Sequence, residues 1–268
     1  MLRLWRLRSG ALVLVILLSA CASNVPGISQ RIAALPAADV ILLGEQHDAP
    51  EHQALQRAAV MELAQHGQLA ALALEMADQG MSTKGLPQAA SETEVQQALA
   101  WNSTGWDWAH YGPVVMAAVR RGVPVLGANL PRSAMRSAMA DTTLDQRLTA
   151  SALEQQRDAI RSGHCDMLPQ SQIAPMARIQ IARDAAMAST VVAAVEPGKT
   201  VLLIAGGAHV LRELGVPVHL PASLRSHVVL AVAGESERVA RGGFDTVWRT
   251  AALAPKDYCA GLKLKLQP

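Results

Sequence analysis

The chain has 268 residues, half of them hydrophobic but only 3% aromatic, so a large core must be built from aliphatic side chains and methionine. Basic residues number 24 and acidic residues 22, and no segment gathers the basic ones into a stripe. This near balance argues against nucleic acid as a partner, because nucleic-acid-binding proteins need a basic surface.

The first twenty residues are predicted to be a signal peptide. Three arginines and no acidic residue precede an apolar run from Ala11 to Leu18, which is too short to span a bilayer. The run ends in Leu18-Ser19-Ala20-Cys21, the lipobox pattern in which the cysteine receives a diacylglycerol before cleavage. A plain signal peptide or an N-terminal anchor helix that happens to contain a cysteine is the alternative.

Lipidation at Cys21 would hold the chain at a membrane of the bacterial envelope, facing the periplasm. Ala22 follows the cysteine where an aspartate would favour the inner membrane, so we expect the outer membrane. Residues 21–38 are predicted to be the lipidated cysteine and its tether, and residues 39–268 a single domain.

Short apolar runs alternate with helical patterns along this domain. The runs predicted to be buried strands cover residues 40–43, 69–75, 123–127, 200–205 and 228–232, and residues 244–248 are predicted to be an edge strand. Asp48 and Pro50 indicate the start of the first long helix. Strands separated by helices predict an α/β fold with a mostly parallel sheet flanked by helices.

Residues 133–195 contain no strand-like run. Alanine, methionine, glutamine and arginine dominate this segment at spacings suited to helices. We expect a small helical subdomain, inserted into the α/β domain and packed over one edge of the sheet.

Two cysteines, Cys165 and Cys259, remain after Cys21 is set aside. In an oxidising envelope compartment, two such cysteines most simply form a disulfide. The functional alternative is that one of them is a thiolate ligand.

Polar residues follow three of the predicted strands, at the edge of a parallel sheet where ligands collect. The first and the fourth strand each run into a Gly-x-x-His turn, Gly44 to His47 and Gly206 to His209, and the second ends at Glu75. Asp48 and His52 lie just beyond the first turn. The pocket residues predicted from these positions are Glu45, His47, Glu75 and His209, with Asp48 and His52 secondary.

Two carboxylates and two histidines in one pocket have three possible uses. They could bind a divalent metal such as Zn, Mn, Co or Fe, they could act as general acids and bases without a metal, or they could form a structural polar network. The residue types alone leave these three alternatives open.

The chain resembles the ChaN-like haem-binding lipoproteins along almost its whole length after the signal peptide. The segments that carry the resemblance are Leu42 to Asp48 with His52, Ala73 to Met76, Trp106 to Pro113, Gly127 to Arg132, Gly163 to Cys165, Arg183 to Ala188 and Gly206 to His209. This family shares a superfamily with Tiki-type metalloproteases and erythromycin esterases, which place similar turns and glutamates at the positions of Glu45, His47, Glu75 and His209.

The resemblance implies a parallel sheet flanked by helices with a small helical subdomain. It also implies haem bound at a homodimer interface, in support of haem or iron uptake, with an outer-membrane haem receptor as a possible partner.

Haem needs an apolar slot, an axial ligand and cations for its propionates. Tyr111 and His164 are the two main candidates for the axial ligand, and His110 and Met167 are weaker ones. Trp106, Trp108 and Tyr111 also have a spacing that suits a core aromatic cluster. Arg132 could bind a propionate or simply cap a turn at the surface.

The leading hypothesis is therefore a lipid-anchored haem-binding protein that stores or carries haem. A metal-dependent hydrolase that uses the paired Gly-x-x-His turns is the rival from a different class. A non-catalytic envelope scaffold is the third possibility.

Overall fold

Six parallel strands form one sheet in the computed structural model, which describes residues 27–235 and 242–261. In chain order they are β1 Val40–Glu45, β2 Leu69–Asp78, β3 Val125–Asn129, β4 Thr200–Gly206, β5 Ser226–Ala233 and β6 Thr246–Thr250. Their order across the sheet is β3-β2-β4-β1-β5-β6, and every pairing is parallel. The predicted α/β class is confirmed, and β6 lies at the edge as predicted.

The helices of the described residues alternate with these strands. They are α1 Ile28–Ala33, α2 Pro50–Gln65, α3 Glu92–Ala98, α4 Trp108–Val119, α5 Met135–Ala140, α6 Ala150–Gly163 and α7 Gln170–Ala193. Short 3₁₀ turns occur at Arg132–Ala134, Thr142–Arg147 and Val216–His219. Within the part of the chain that the structure describes, no helix combines the length and the apolar character that crossing a membrane requires.

Hydrophobic cores lie on both faces of the sheet because successive strand residues point to opposite faces. Ile41 and Leu43 of β1 face a core that includes residues of α2 and α4. Val40 and Leu42 face the other core, which includes Met187 of α7. All four side chains are almost fully buried, which explains why β1 is apolar throughout rather than alternating.

The segment from Arg132 to Ala193 contains only helices and turns, as the sequence predicts. Leu144, Leu148 and Ile181 form a small core between its elements. Further along α7, Met187 and Val191 pack directly on the sheet. The long helix α7 therefore both supports the helical subdomain and connects β3 to β4 across one face of the sheet.

Two local expectations need correction. Residues 28–33, which were predicted to be part of a tether, form the helix α1, whose Ile28 and Ile32 pack against the first core. Helix α2 begins at Pro50 with Ala49 as its N-cap residue and no side-chain cap, so Asp48 does not cap it. The physical reason is that the carboxylate of Asp48 is engaged by groups from the C-terminal segment.

The connections that follow the neighbouring strands β1 and β4 lie on opposite faces of the sheet. Helix α2 packs on the first core, whereas Val210 and Val216, which follow β4, pack on the second. Such a divergence opens a crevice at the carboxyl ends of the two strands, where α/β proteins bind ligands.

A disulfide joins the helical subdomain to the C-terminal segment. Cys165 lies in the turn between α6 and α7, and Cys259 lies in a final helical turn over residues 258–261. Their Cα atoms are 5.8 Å apart, as a disulfide requires. The predicted signal peptide and Cys21 lie outside the described residues.

Candidate functional site

The two Gly-x-x-His turns lie side by side at the crevice. Strands β1 and β4 are neighbours with Glu45 opposite Gly206, and the Gly207 N–H donates to the Glu45 carbonyl at 2.8 Å. His47 and His209 therefore follow adjacent strand ends, because neighbouring parallel strands end at the same edge of the sheet.

Glycine is required at two positions of these turns. A Cβ on Gly44 would lie 2.4 Å from Val210 Cγ2, and a Cβ on Gly206 would lie 2.9 Å from His47 Nε2. Both distances are shorter than van der Waals contact, so a side chain at either position would push the two turns apart.

Glu45 is buried and accepts hydrogen bonds at both carboxylate oxygens. Oε1 accepts from the Tyr111 hydroxyl at 2.6 Å and from His47 Nδ1 at 2.8 Å. Oε2 accepts from the side-chain amides of Gln53 and Gln56, which both lie on α2. A buried carboxylate needs such partners, and this set holds the end of β1 against α2 and α4.

A second buried network surrounds His209. Its Nδ1 lies 2.6 Å from Asp184 Oδ1 on α7, and its Nε2 lies 3.5 Å from Glu75 Oε1 on β2. Glu75 Oε2 also accepts the Gly206 N–H at 2.7 Å. One imidazole thus lies between two carboxylates with both of its ring nitrogens engaged.

The pKa values of this network follow from burial and charge. Burial opposes charge on His209, but the carboxylates of Glu75 and Asp184 outweigh it and raise the pKa of His209 to about 10. Burial would raise the pKa of Glu75, yet the charge and hydrogen bond of His209 lower it to about 2. Burial dominates at Asp184 and raises the pKa of that carboxyl to about 6.

His47 is the more accessible of the two histidines. Burial would lower the pKa of His47, but the hydrogen bond to Glu45 and the negative charge of Glu75 raise it. Its Nε2 lies 3.9 Å from Glu75 Oε2, and its ring meets the ring of Trp106 edge-on at 4.9 Å.

Two cavities open on either side of these histidines. The first, of about 700 Å³, lies over β1, β4 and β5. The second, of about 640 Å³, lies over the ends of β2 and β3. His47 and His209 line both cavities, so the pair forms the wall between them. Both volumes are in the range that holds small organic ligands and cofactors.

The first cavity combines an apolar wall with a polar mouth. Its apolar wall comes from β5, with Leu230, Ala231 and Val232. Its mouth contains Lys256 and Tyr258, and the hydroxyl of Tyr258 donates to Asp48 Oδ2 at 2.8 Å.

Asp48 links the residues at the mouth of the first cavity by hydrogen bonds. It accepts hydrogen bonds from Lys256, Tyr258 and Gln46. Partial burial would raise the pKa of Asp48, but these three hydrogen bonds lower it, so the carboxylate stays ionised.

His52, the other secondary residue, has a structural role. It is fully buried, and its Nδ1 accepts the Gln46 N–H at 3.0 Å. Its Nε2 contacts the Thr250 hydroxyl of β6 at 3.1 Å. Burial lowers the pKa of His52, which keeps the ring neutral and suited to this bridge between the first turn and the edge strand.

Tyr111 lies inside the protein and not on an open surface. It is 2% exposed, its hydroxyl binds Glu45, and its ring packs near Trp101 and Trp106. Burial and the charge of Glu45 raise its pKa, which disfavours the phenolate that would bind haem iron. The hydroxyl of Tyr111 is therefore engaged inside the protein by Glu45.

The remaining predicted haem residues do not converge. His110 is exposed at the start of α4, and His164 and Met167 are half-buried in the turn after α6, with none of the three in either cavity. His164 Nδ1 donates to the Ile160 carbonyl at 2.8 Å. Arg132 lines the second cavity, away from Tyr258 and Lys256.

The four predicted pocket residues do meet, but they do not fit a divalent metal. Across residues 27–235 and 242–261, no group of three or more His, Cys, Asp or Glu side chains is arranged to hold a metal ion. His209 Nδ1 is paired with Asp184, and its Nε2 lies 3.5 Å from Glu75. The possible metal site, and the metal-dependent hydrolase built on it, are not supported.

Sequence reasoning missed several residues of the site. Asp184 and Arg183 are an adjacent charged pair within an alanine-rich helix, and that contrast was a usable signal. Gln53 and Gln56 lie three residues apart on α2, one turn from the first histidine turn. Tyr258, which is next to Cys259 in sequence, is 55% exposed and lines the first cavity.

The fold and the site define an α/β protein with a ligand-binding crevice at the carboxyl edge of a parallel sheet. Residues 31–220 match the model of the family described as haem-binding uptake, Tiki superfamily, ChaN. The match covers well over half of the chain, and the chain belongs to this family.

Two solved structures are similar to this chain. One, described as cofacial haem binding to ChaN of Campylobacter jejuni, is 28% identical with a TM-score of 0.65, over 77% of this chain and 86% of that one. The other, the type III effector HopBA1, is 12% identical with a TM-score of 0.42, over 84% of this chain and 94% of that one, which is too distant for any inference. No curated protein matches the chain.

Proposed function

We propose that this protein binds haem in the first cavity, as a lipid-anchored envelope protein that stores or carries haem for iron acquisition. Membership of the haem-binding uptake family supports the proposal, as does the likeness to the structure of cofacial haem binding to ChaN of Campylobacter jejuni. The observation that carries it is the cavity itself, in which an apolar wall lies opposite an accessible tyrosine and a lysine.

These features match what haem requires. The β5 residues Leu230 to Val232 give the cavity an apolar lining, and Lys256 offers a cation to a propionate. Bound haem would bring an iron that takes a phenolate ligand. Tyr258 would supply that oxygen, and Asp48 orients it by accepting a hydrogen bond from its hydroxyl at 2.8 Å.

His164 is the alternative ligand. Its Nδ1–H is fixed by the Ile160 carbonyl, which leaves the Nε2 lone pair available, as in most metal-binding histidines. It lines neither cavity, so it would bind haem only at a surface completed by another molecule.

The anchoring and assembly parts of the proposal have separate support. The lipobox at Cys21 supports lipidation, and Ala22 supports the outer membrane. ChaN of Campylobacter jejuni binds haem cofacially, which means that the haems face each other. The same arrangement here would join two copies of the chain at the open mouths of their first cavities, and an outer-membrane haem receptor would be the partner that supplies haem.

A haemin titration of the purified chain tests the proposal. We expect a Soret shift at micromolar protein, an altered spectrum for Tyr258→Phe, and a change in elution on sizing chromatography as dimers form. Tyr111→Phe is the matched control, since its hydroxyl is buried, and its haem spectrum should equal that of the wild type. No Soret shift with the wild type would refute haem binding, and an altered spectrum only for His164→Ala would reassign the ligand.

Lipidation has its own test. Intact-mass measurement of the chain made in a Gram-negative host should show acyl groups on a mature protein that begins at Cys21. Cys21→Ser should remove both the acyl mass and the membrane association. A soluble, unmodified wild-type product would contradict the anchor.

Acid–base chemistry without a metal is a second candidate function. It is favoured by His47, a partly accessible histidine that faces both cavities and whose pKa is raised by paired carboxylates. We propose that such a site would protonate the leaving group of a hydrolysed ester or amide. If the wild type hydrolyses a panel of nitrophenyl esters no faster than His47→Ala does, acid–base catalysis by His47 is excluded.

A further inference from the structure

The second cavity contains two arginines that form no ion pair among the described residues, although the charge of Arg183 acts on the neighbouring carboxyl of Asp184. Arg132 and Arg183 both line it. Within the described part of the chain, neither guanidinium makes an ion pair or a hydrogen bond with another residue, although the Nε of Arg183 is buried. A buried N–H donor without a partner is costly, so its retention at a cavity wall indicates a ligand that accepts from it.

Asn129 places an unpaired hydrogen-bond acceptor, rather than a donor, in the same cavity. It is the last residue of β3, it is 9% exposed, and its buried Oδ1 has no hydrogen-bond partner among the described residues. A single ligand that satisfied both residues would offer an acceptor to Arg183 and a donor to Asn129.

The other charged residues around the cavity determine whether the bound molecule is an anion or a cation. Glu75 and Asp78 also line the cavity, and Asp184 lies next to Arg183 in sequence, but Glu75 and Asp184 are both already paired with His209. Asp78 is exposed at the rim. The two arginines are therefore left to attract an anion, and planar guanidinium groups suit a carboxylate, which they can bind through two parallel hydrogen bonds.

We infer that the second cavity binds a small hydroxy-carboxylate, with its carboxylate on Arg132 and Arg183 and its hydroxyl donating to Asn129 Oδ1. Trp106 and Met135 supply apolar walls for the carbon skeleton. This site is distinct from the proposed haem site, because Tyr258 and Lys256 lie on the other side of His47 and His209.

Glycolate and acetate are the probes, because they differ by the hydroxyl that Asn129 would accept. The test follows the Arg183 Nε–H signal by NMR in the full chain, and that signal is identified by its loss in Arg183→Lys. We expect glycolate to shift it with a Kd at or below about 1 mM, and to bind roughly two- to tenfold tighter than acetate, the range that one neutral hydrogen bond supplies.

Variants separate the two parts of the inference. Asn129→Leu removes an unsatisfied acceptor and so should fold, and it should make glycolate and acetate bind equally. Arg132→Lys should weaken both probes, whereas Arg121→Lys, an exposed arginine outside the cavity, should change neither.

Several results would overturn the inference. One is the absence of any signal shift at about 10 mM glycolate, which is tenfold above the expected Kd. The others are equal affinities of the wild type for glycolate and acetate, and tighter binding of inorganic phosphate than of glycolate. Haemin titrations at increasing glycolate concentrations complete the test. An apparent haemin Kd that keeps rising in proportion to glycolate, without a plateau, would mean that the two compete for one site and would overturn the inference of a separate one. A chain that binds glycolate but not haemin would refute only the proposed function.

Discussion

The hydroxyl of Tyr111 and the carboxylate of Glu45 form a buried hydrogen bond of 2.6 Å that joins α4 to the end of β1. The bond gives Tyr111 a structural role, because the same oxygen cannot stabilise a buried carboxylate and remain free as a ligand. The accessible tyrosine of the described residues is Tyr258, which lies at the mouth of the first cavity.

Tyr111→Phe should therefore reduce stability without affecting ligands at the cavity mouth. It keeps the ring but removes one donor to a buried carboxylate, and the expected loss in unfolding free energy is about 1–3 kcal/mol. Urea unfolding followed by circular dichroism measures it. Tyr258→Phe is the comparison and should change stability by no more than about 0.5 kcal/mol, as is usual for surface positions. Equal losses for the two variants would contradict these assignments.

The pKa of His209 predicts that stability falls in alkaline solution. Its value in the folded chain is raised to about 10, compared with 6.5 for an ordinary histidine. The stabilisation is fully present below pH 6.5 and is lost as the pH rises towards 10, by several kcal/mol at about 1.4 kcal/mol per pKa unit. Urea titrations at a series of pH values should show this decline in the wild type.

His209→Gln is the matched control for that measurement. It removes the titrating ring, so its unfolding free energy should be lower at neutral pH and nearly flat between pH 7 and 10. A parallel decline in wild type and variant would mean that other groups cause the loss.

Gly44→Ala should be strongly destabilising for its size. The new Cβ would lie 2.4 Å from Val210 Cγ2, and overpacking of this kind costs about 1–3 kcal/mol. Gly163→Ala, at the end of α6, is the control because no atom lies within 4 Å of its Cβ position, and it should be neutral or slightly stabilising. Thermal unfolding of the two variants side by side distinguishes these outcomes.

Removal of the disulfide should loosen the mouth of the first cavity. Cys165 and Cys259 are 94 residues apart in sequence, and the loss of a native disulfide typically costs about 2–4 kcal/mol. Cys259 is adjacent to Tyr258, so Cys259→Ser should also weaken the binding of haemin. A variant with unchanged haemin affinity would show that the C-terminal segment does not contribute to that site.

The sequence predicted the strands well where they are buried on both faces. The apolar run at 200–205 corresponds to β4, Thr200–Gly206, because a central parallel strand admits no polar alternation. The position of β4 between β1 and β2 could not be predicted, since pairing across a parallel sheet depends on contacts between residues far apart in sequence.

The site was predictable only where its residues follow strands. Glu45, His47, Glu75 and His209 stand at strand ends, and a parallel sheet must bring such residues to one edge. Asp184 comes from the middle of α7, where a single charged residue normally faces solvent. Its contact with His209 depends on how α7 crosses the sheet, which the spacing of residues within the helix does not specify.

Because His47 and His209 line both cavities, we expect the two cavities to be coupled electrostatically. Any ligand whose charge favours or disfavours protonated His47 or His209 changes the electrostatic potential that a ligand on the other side experiences. By linkage, the factor by which the first ligand alters the affinity of the second equals the factor by which the second alters that of the first. Occupancy of the arginine-lined cavity and occupancy of the tyrosine-lined cavity would thus report on each other, and the sign of their coupling would depend on pH.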